Sequence, residues 1–298
     1  MRSLRLSFFF LIVLAAQPAS AQPWIPLSFA PKQLPFNGGS IHYVESGRGR
    51  ALIFLHAGFQ DVGMWRDQLL HFNRDYRVIA LDLPGHGATV DGKRTPAADS
   101  VLLALMDGLQ IEKAALIGLS FGSAVALEFA SKHPERVTKL VMAAPAVAGI
   151  EEVQELHPTT LEAFNGMMQL LADKDTAAAA AHFVKSWYIG PNRTQQTVPS
   201  KLYEYGLTTT LRNMRNHHAS GWAGFSKPLP VQRIASLKVP LLLLVGSNDL
   251  PQVAMVSAYI RKVLPDTKEV IFPGAAHMLN VEQPERFNRV VRRFLVGN

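Results

Sequence analysis

Ala114-Ala115-Leu116-Ile117-Gly118-Leu119-Ser120-Phe121-Gly122 runs an apolar segment straight into Gly-x-Ser-x-Gly, and Ser123-Ala124-Val125-Ala126-Leu127-Glu128-Phe129-Ala130 follows with helical composition. The order is strand, tight turn, helix. That order puts Ser120 in a strained turn with its hydroxyl held out at the C-terminal edge of a sheet. Gly118 and Gly122 flank the serine because side chains there would collide with the neighbouring strand and helix. The helix N-terminus directs amide N–H groups at any negative charge developing beside Ser120. The stretch therefore predicts a nucleophile, set against the plainer reading of a glycine-rich strand-to-helix turn.

On either side of it the same pattern repeats. Ala51-Leu52-Ile53-Phe54-Leu55, Arg77-Val78-Ile79-Ala80-Leu81, residues 137–143, Leu241-Leu242-Leu243-Leu244-Val245 and Glu269-Val270-Ile271-Phe272 read as strands, mostly buried on both faces. Helical segments alternate with them: residues 63–72, from Thr95-Pro96 to about 110, 253–264 and 284–295. Strand-helix alternation implies an α/β fold with a mostly parallel, doubly wound sheet. Gly39-Ser40-Ile41-His42-Tyr43-Val44-Glu45 alternates like one more strand, and residues 22–35 are a Pro-rich, irregular lead-in. The alternation stops between residues 146 and 232. There an alanine run, 177–181, and the aromatics Phe183, Trp187, Tyr188, Tyr203, Tyr205, Trp222 and Phe225 predict a helical insert. The expected organisation is a core of 22–145 and 233–298 with a cap at 146–232.

With 298 residues, 48% hydrophobic and 18% charged, the chain is long enough for one large core. Arg2 and Arg5, the apolar residues 8–16, and Ala19-Ser20-Ala21 are the three parts of a secretory signal peptide over residues 1–21. Export to the periplasm or the medium is the expectation, with no stable membrane insertion after cleavage. The formal charge of +7 falls by two, to +5, when Arg2 and Arg5 leave. The basic residues are scattered, which argues against nucleic acid as a partner. The absence of cysteine excludes disulfides, a thiol nucleophile and thiolate-held metals. His217 and His218 are adjacent, so they do not share a helix face, and no carboxylate accompanies them. No metal and no cofactor are expected.

A serine hydroxyl needs a base within hydrogen-bond reach, and the base needs an orienting carboxylate. Loops at the carboxyl ends of parallel strands share one crevice. Three such loops offer Ser120, Asp249 and His277, in that order. Leu55-His56-Ala57-Gly58-Phe59, Asp82-Leu83-Pro84-Gly85-His86-Gly87, Gly118-Leu119-Ser120-Phe121-Gly122, Gly246-Ser247-Asn248-Asp249 and Gly274-Ala275-Ala276-His277 together resemble the α/β-hydrolase superfamily, in its capped, esterase-like branch. The resemblance implies Ser120 as nucleophile, His277 as general base then acid, and Asp249 as orienting carboxylate. It implies an oxyanion hole from the N–H of Phe121 and that of Gly58, with Phe59 as the alternative donor. Ala57 departs from the family, which more often has glycine directly after the histidine, so the second donor stays open. Asp249 also has the position of a helix cap. His56, Asp82 and His86 are expected to brace loops.

The same resemblance, with the signal peptide, implies an exported serine hydrolase acting on a small or medium, largely apolar carboxylic ester or lactone through an acyl-enzyme. A carbon–carbon bond hydrolase, an amidase, a perhydrolase and a ligand receptor without turnover use the same fold and triad and remain alternatives. Serine at the nucleophile position argues against dehalogenases and epoxide hydrolases, which need aspartate there. Lys185, Arg193, Lys201, Arg212 and Arg215 either bias the cap pocket toward anions or lie on its solvated face.

Overall fold

The computed structural model describes residues 29–92, 94, 96–216 and 223–297. The expected signal peptide, Thr95, His217, His218 and Trp222 lie outside them. The described residues begin with two strands, β1 (Pro31–Phe36) and β2 (Gly39–Ser46), paired antiparallel as a hairpin. Then come β3 (Ala51–Leu55), α1 (Arg66–Phe72), β4 (Arg77–Leu81), α2 (Ala98–Gly108), β5 (Ala114–Leu119), α3 (Phe121–Lys132) and β6 (Val137–Ala143). Helices α4 (Pro158–Ala172), α5 (Thr176–Phe183), α6 (Ser200–Asn216) and the short α7 (Pro230–Arg233) separate β6 from β7 (Leu241–Gly246). The chain closes with α8 (Pro251–Val263), β8 (Lys268–Phe272), the single turn α9 (Leu279–Glu282) and α10 (Pro284–Val296).

Among the described residues, eight strands form one sheet in the order β1-β2-β4-β3-β5-β6-β7-β8. From β4 to β8 every neighbour is parallel, and β2 joins β4 antiparallel. After β3 the chain places β4 on one side and β5 on the other. That reversal opens a crevice outside the carboxyl ends of β3 and β5, where ligands bind in open α/β sheets.

The apolar runs divide between two layers by the period of two that every strand imposes. Leu52 and Phe54 of β3, with Ile117 and Leu119 of β5, pack with Leu69 and Phe72 of α1 and Phe287 and Val291 of α10. Ile53, Leu55 and Leu116 face the other way, onto Val101, Leu102 and Leu105 of α2, Leu127 and Phe129 of α3, and Val256 and Ile260 of α8. Each such side chain is fully buried, which is worth roughly 1.5–3 kcal/mol apiece.

Three local expectations change. Residues 22–35 read as irregular, yet Pro31–Phe36 forms β1. Its prolines lack an N–H, but β1 is the outermost strand, where a missing donor is tolerated. The helix expected from Thr95-Pro96 begins at Ala98, without a side-chain cap. Its start is held instead by a distant segment, Ala98 N–H donating to Gly224 O at 2.8 Å. The helix expected from residue 63 opens as a 3-10 turn, Val62–Trp65, with the Asp61 carboxylate accepting Gly63 N–H at 3.0 Å. In the described part of 146–232 there is no strand, and α4, α5 and α6 pack in series.

Candidate active site

Ser120 closes β5 and caps α3 with φ 54° and ψ −117°. Its N–H still pairs with Ala143 O of β6 at 2.9 Å, while its carbonyl accepts Ser123 N–H at 2.8 Å and so starts the helix. The turn is this sharp because nothing intervenes between the backbones. A Cβ on Gly118 would stand 2.4 Å from Gly122 O, and one on Gly122 would stand 2.2 Å from Leu55 O. The glycines that bracket Ser120 therefore let β5, α3 and the end of β3 meet backbone to backbone.

Asp249 follows β7 and His277 follows β8, and the sheet brings them together. His277 Nδ1 lies 2.8 Å and 2.9 Å from the two oxygens of Asp249. Both residues are buried. With a carboxylate at Nδ1, that nitrogen donates and Nε2 is left as the basic position. The backbone N–H of His277 donates to Trp187 O at 3.2 Å. Leu250, not Asp249, occupies the cap position of α8.

The loop after β3 folds into a turn in which Gln60 N–H donates to Ala57 O at 3.1 Å. Ala57 N–H points to Met64 Sδ at 3.4 Å. The two amides at the ends of this turn are thus engaged, and Gly58 and Phe59 form its tip. Phe59 has φ 57°, in the left-handed region. Phe121, first residue of α3, carries one of the N–H groups that a helix start cannot bond internally. Its ring stacks on His86 at 5.9 Å.

His56, Asp82 and His86 brace these loops. His56 Nδ1 donates to Ala57 O at 2.7 Å, and its Nε2 accepts Leu83 N–H at 2.9 Å. The buried Asp82 carboxylate accepts His42 Nδ1 at 2.7 Å, Val62 N–H at 2.7 Å and Ala88 N–H at 2.8 Å. Burial by itself would raise its pKa. The hydrogen bond and charge of His42, with help from His56 and the Ala88 amide, prevail and hold it below the usual carboxylate range.

Ser120 and His277 line one cavity of about 270 Å³ with Gly58 and Phe121. Its other walls include Phe59, Phe164, Met167, Phe183, Trp187 and Phe225, and among the described residues no Lys, Arg, Asp or Glu lines it. Phe183 and Trp187 stack at 4.7 Å. Lys185, Lys201 and Arg215 are exposed, Arg193 pairs with Glu282, and Arg212 pairs with Asp61. The basic residues of the insert thus stay outside the cavity. Among the described residues no cluster of His, Asp and Glu is arranged to hold a metal ion.

The sequence reading missed the polar residues that tie the insert to the core. Gln60 and Asp61 are both buried, and both reach the insert. The available signal was two adjacent polar residues directly after an apolar turn.

Comparison with known proteins identifies the family and the fold. The profile of the alpha/beta hydrolase fold matches residues 50–284. A Bacillus subtilis protein, provisionally named 2-succinyl-6-hydroxy-2,4-cyclohexadiene-1-carboxylate synthase, is 30% identical over 83% of this chain and 90% of its own. A 2-hydroxy-6-oxo-6-phenylhexa-2,4-dienoate hydrolase of Comamonas testosteroni is 26% identical over 86% of this chain and 91% of its own. The carboxylesterase YbfK of Bacillus subtilis is 27% identical over 87% of this chain and 85% of its own. Its crystal structure superposes with a TM-score of 0.72, covering 92% of this chain and 94% of that one.

Proposed function

This chain belongs to the alpha/beta hydrolase family, and on that premise we propose that it is a serine esterase for small, neutral, largely apolar esters. Ser120 Oγ attacks the ester carbonyl while His277 Nε2 takes its proton, and Asp249 stabilises the imidazolium that forms. The oxyanion that develops is received by the N–H groups of Phe121 and Gly58. The alcohol leaves with the proton held on His277. Water then repeats the sequence on the acyl-enzyme and frees Ser120.

One observation carries this reading: the serine and the carboxylate-held histidine open into a single cavity whose other described walls are apolar and uncharged. The same observation favours the ester over the carbon–carbon bond alternative. The dienoate for which one relative is named carries a carboxylate, and among the described residues that group would meet no Lys or Arg on the cavity wall. Leaving an ionised group buried and unpaired is strongly unfavourable. The relatives named as carboxylesterases support an ester as the bond cleaved. The segment 146–232 serves as the cap that sets acyl preference, and residues 1–21 as an export signal cleaved after Ala21.

A panel of p-nitrophenyl esters, from acetate to octanoate and including aryl acids, tests the reading beside a 2-hydroxy-6-oxo-dienoate. Neutral esters should turn over with a kcat/KM at least tenfold above that of the dienoate, and Ser120→Ala should abolish both activities. Preference for the dienoate, or retained turnover in Ser120→Ala, would overturn it.

A further inference from the structure

Two residues of the insert hold both loops on which the proposed chemistry depends. They sit in a π-helical turn, Val184–Ile189, which continues α5. Gly190 N–H closes this turn onto Lys185 O, five residues back, at 3.1 Å. Trp187 O accepts the backbone N–H of His277 at 3.2 Å. The next residue, Tyr188, donates its hydroxyl proton to Gln60 Oε1 at 2.6 Å.

Gln60 is fully buried. Its Nε2 donates to Phe59 O and to Thr210 Oγ1, both at 3.0 Å. Its own N–H closes the turn onto Ala57 O. The turn thus encloses Gly58 and a phenylalanine at φ 57°, a conformation a bulky residue keeps only when its surroundings impose it. The Tyr188 hydroxyl, 128 residues away in sequence, completes the side chain that fixes this peptide. Burial, with the negative charge of Asp61 adding to it, holds the Tyr188 pKa well above its ordinary value, so the phenol keeps the proton it donates.

We propose that Tyr188 is a positioning residue for the oxyanion hole, acting through Gln60 to hold the Ala57–Gln60 turn in register with Ser120. The proposal rests on the reading of Ser120 as nucleophile. Neither Tyr188 nor Gln60 lines the cavity. Breaking their bond therefore leaves ground-state contacts in place and weakens an interaction made in the transition state, which lowers kcat and not the affinity reported by KM.

Tyr188→Phe removes only the hydroxyl. With a neutral p-nitrophenyl ester it should lower kcat by roughly tenfold or more, short of the 10²–10³ that losing a whole oxyanion donor costs. KM should stay within about twofold. A trifluoromethyl ketone, whose adduct oxygen occupies the oxyanion hole, should bind more weakly by the same factor as kcat/KM falls. Gln60→Met breaks the same link from the other side, together with the Nε2 bonds to Phe59 O and Thr210 Oγ1, and carries the test if Tyr188→Phe does not fold. The double variant should be no slower than the slower single one, because one link is lost only once. A lowered melting temperature with wild-type kcat and unchanged ketone affinity would overturn the proposal, and so would additive losses in the double variant. Ser120→Ala, assayed in parallel, separates the two levels. An inactive Ser120→Ala beside a Tyr188→Phe of wild-type kcat refutes the positioning role alone, whereas an active Ser120→Ala refutes the reading of the site.

Discussion

Gly122→Ala is the smallest change that tests whether backbone contact at the turn sets the rate. The added Cβ would lie 2.2 Å from Leu55 O and 2.6 Å from His56 O, where ordinary contact begins at 3.4 Å. The shortfall is about 1.2 Å, and both neighbours are backbone carbonyls, so no side chain can turn aside. α3 must therefore move away from the end of β3 by about an ångström. That motion separates Phe121 from Gly58, the two proposed oxyanion donors. A displacement of about 1 Å is worth roughly 10²-fold in rate, or about 2.7 kcal/mol in the barrier. Overpacking of this kind also destabilises by about 1–3 kcal/mol. Steady-state kinetics on a p-nitrophenyl ester, with a thermal melt on the same sample, should show kcat down about 10²-fold and the melting temperature lower by several degrees. Gly224→Ala, where a Cβ meets nothing within 4 Å, is the control and should change neither. A Gly122→Ala enzyme with wild-type kcat and melting temperature would refute the reasoning.

Other perturbations probe other links. Asp249→Asn keeps the size of the group but removes the charge facing His277 Nδ1, and kcat on the same ester should fall by about 10⁴-fold; a loss below tenfold would contradict the assignment. Asp82 has a depressed pKa, so its contribution to stability is complete above the ordinary carboxylate value of 3.8 and is lost as pH falls through its lower folded value. Urea unfolding of wild type and Asp82→Asn should therefore differ most near neutral pH and converge in acid, whereas a constant gap down to the lowest pH at which the chain folds would sink that reading. Trp187→Ala removes an aromatic wall stacked on Phe183, and the preferred acyl chain in the ester panel should lengthen. An unchanged ranking would show that this wall does not set acyl length.

What the sequence made legible is what local pattern encodes. The runs at 51–55, 114–119 and 241–245 became parallel strands because nothing polar interrupts them, and Ser120 stood out because Gly118 and Gly122 let the turn close backbone to backbone. Asp249 and His277 were readable because parallel strands deliver their following loops to one edge. β1 was hidden because Pro31 and Pro35 read as breakers, and only its place at the rim of the sheet excuses them. The π-turn was hidden because its register is a matter of which carbonyl Gly190 N–H finds, and an aromatic run does not specify that. Links such as Gln60 to Tyr188 and to Thr210 join residues 128 and 150 positions apart, beyond the reach of any periodicity. The insert shows the same limit for charge. Composition counts its basic residues, but only packing shows that none of them lines the cavity.

The central claim is that Ser120 carries the acyl group, and mass spectrometry of the enzyme quenched during turnover of a slowly hydrolysed neutral ester tests it most directly. The account predicts one acyl adduct per chain, mapped by proteolysis to Ser120, formed in a burst stoichiometric with enzyme and absent from Ser120→Ala. Full steady-state turnover with no adduct at Ser120, and the same turnover from Ser120→Ala, would contradict it.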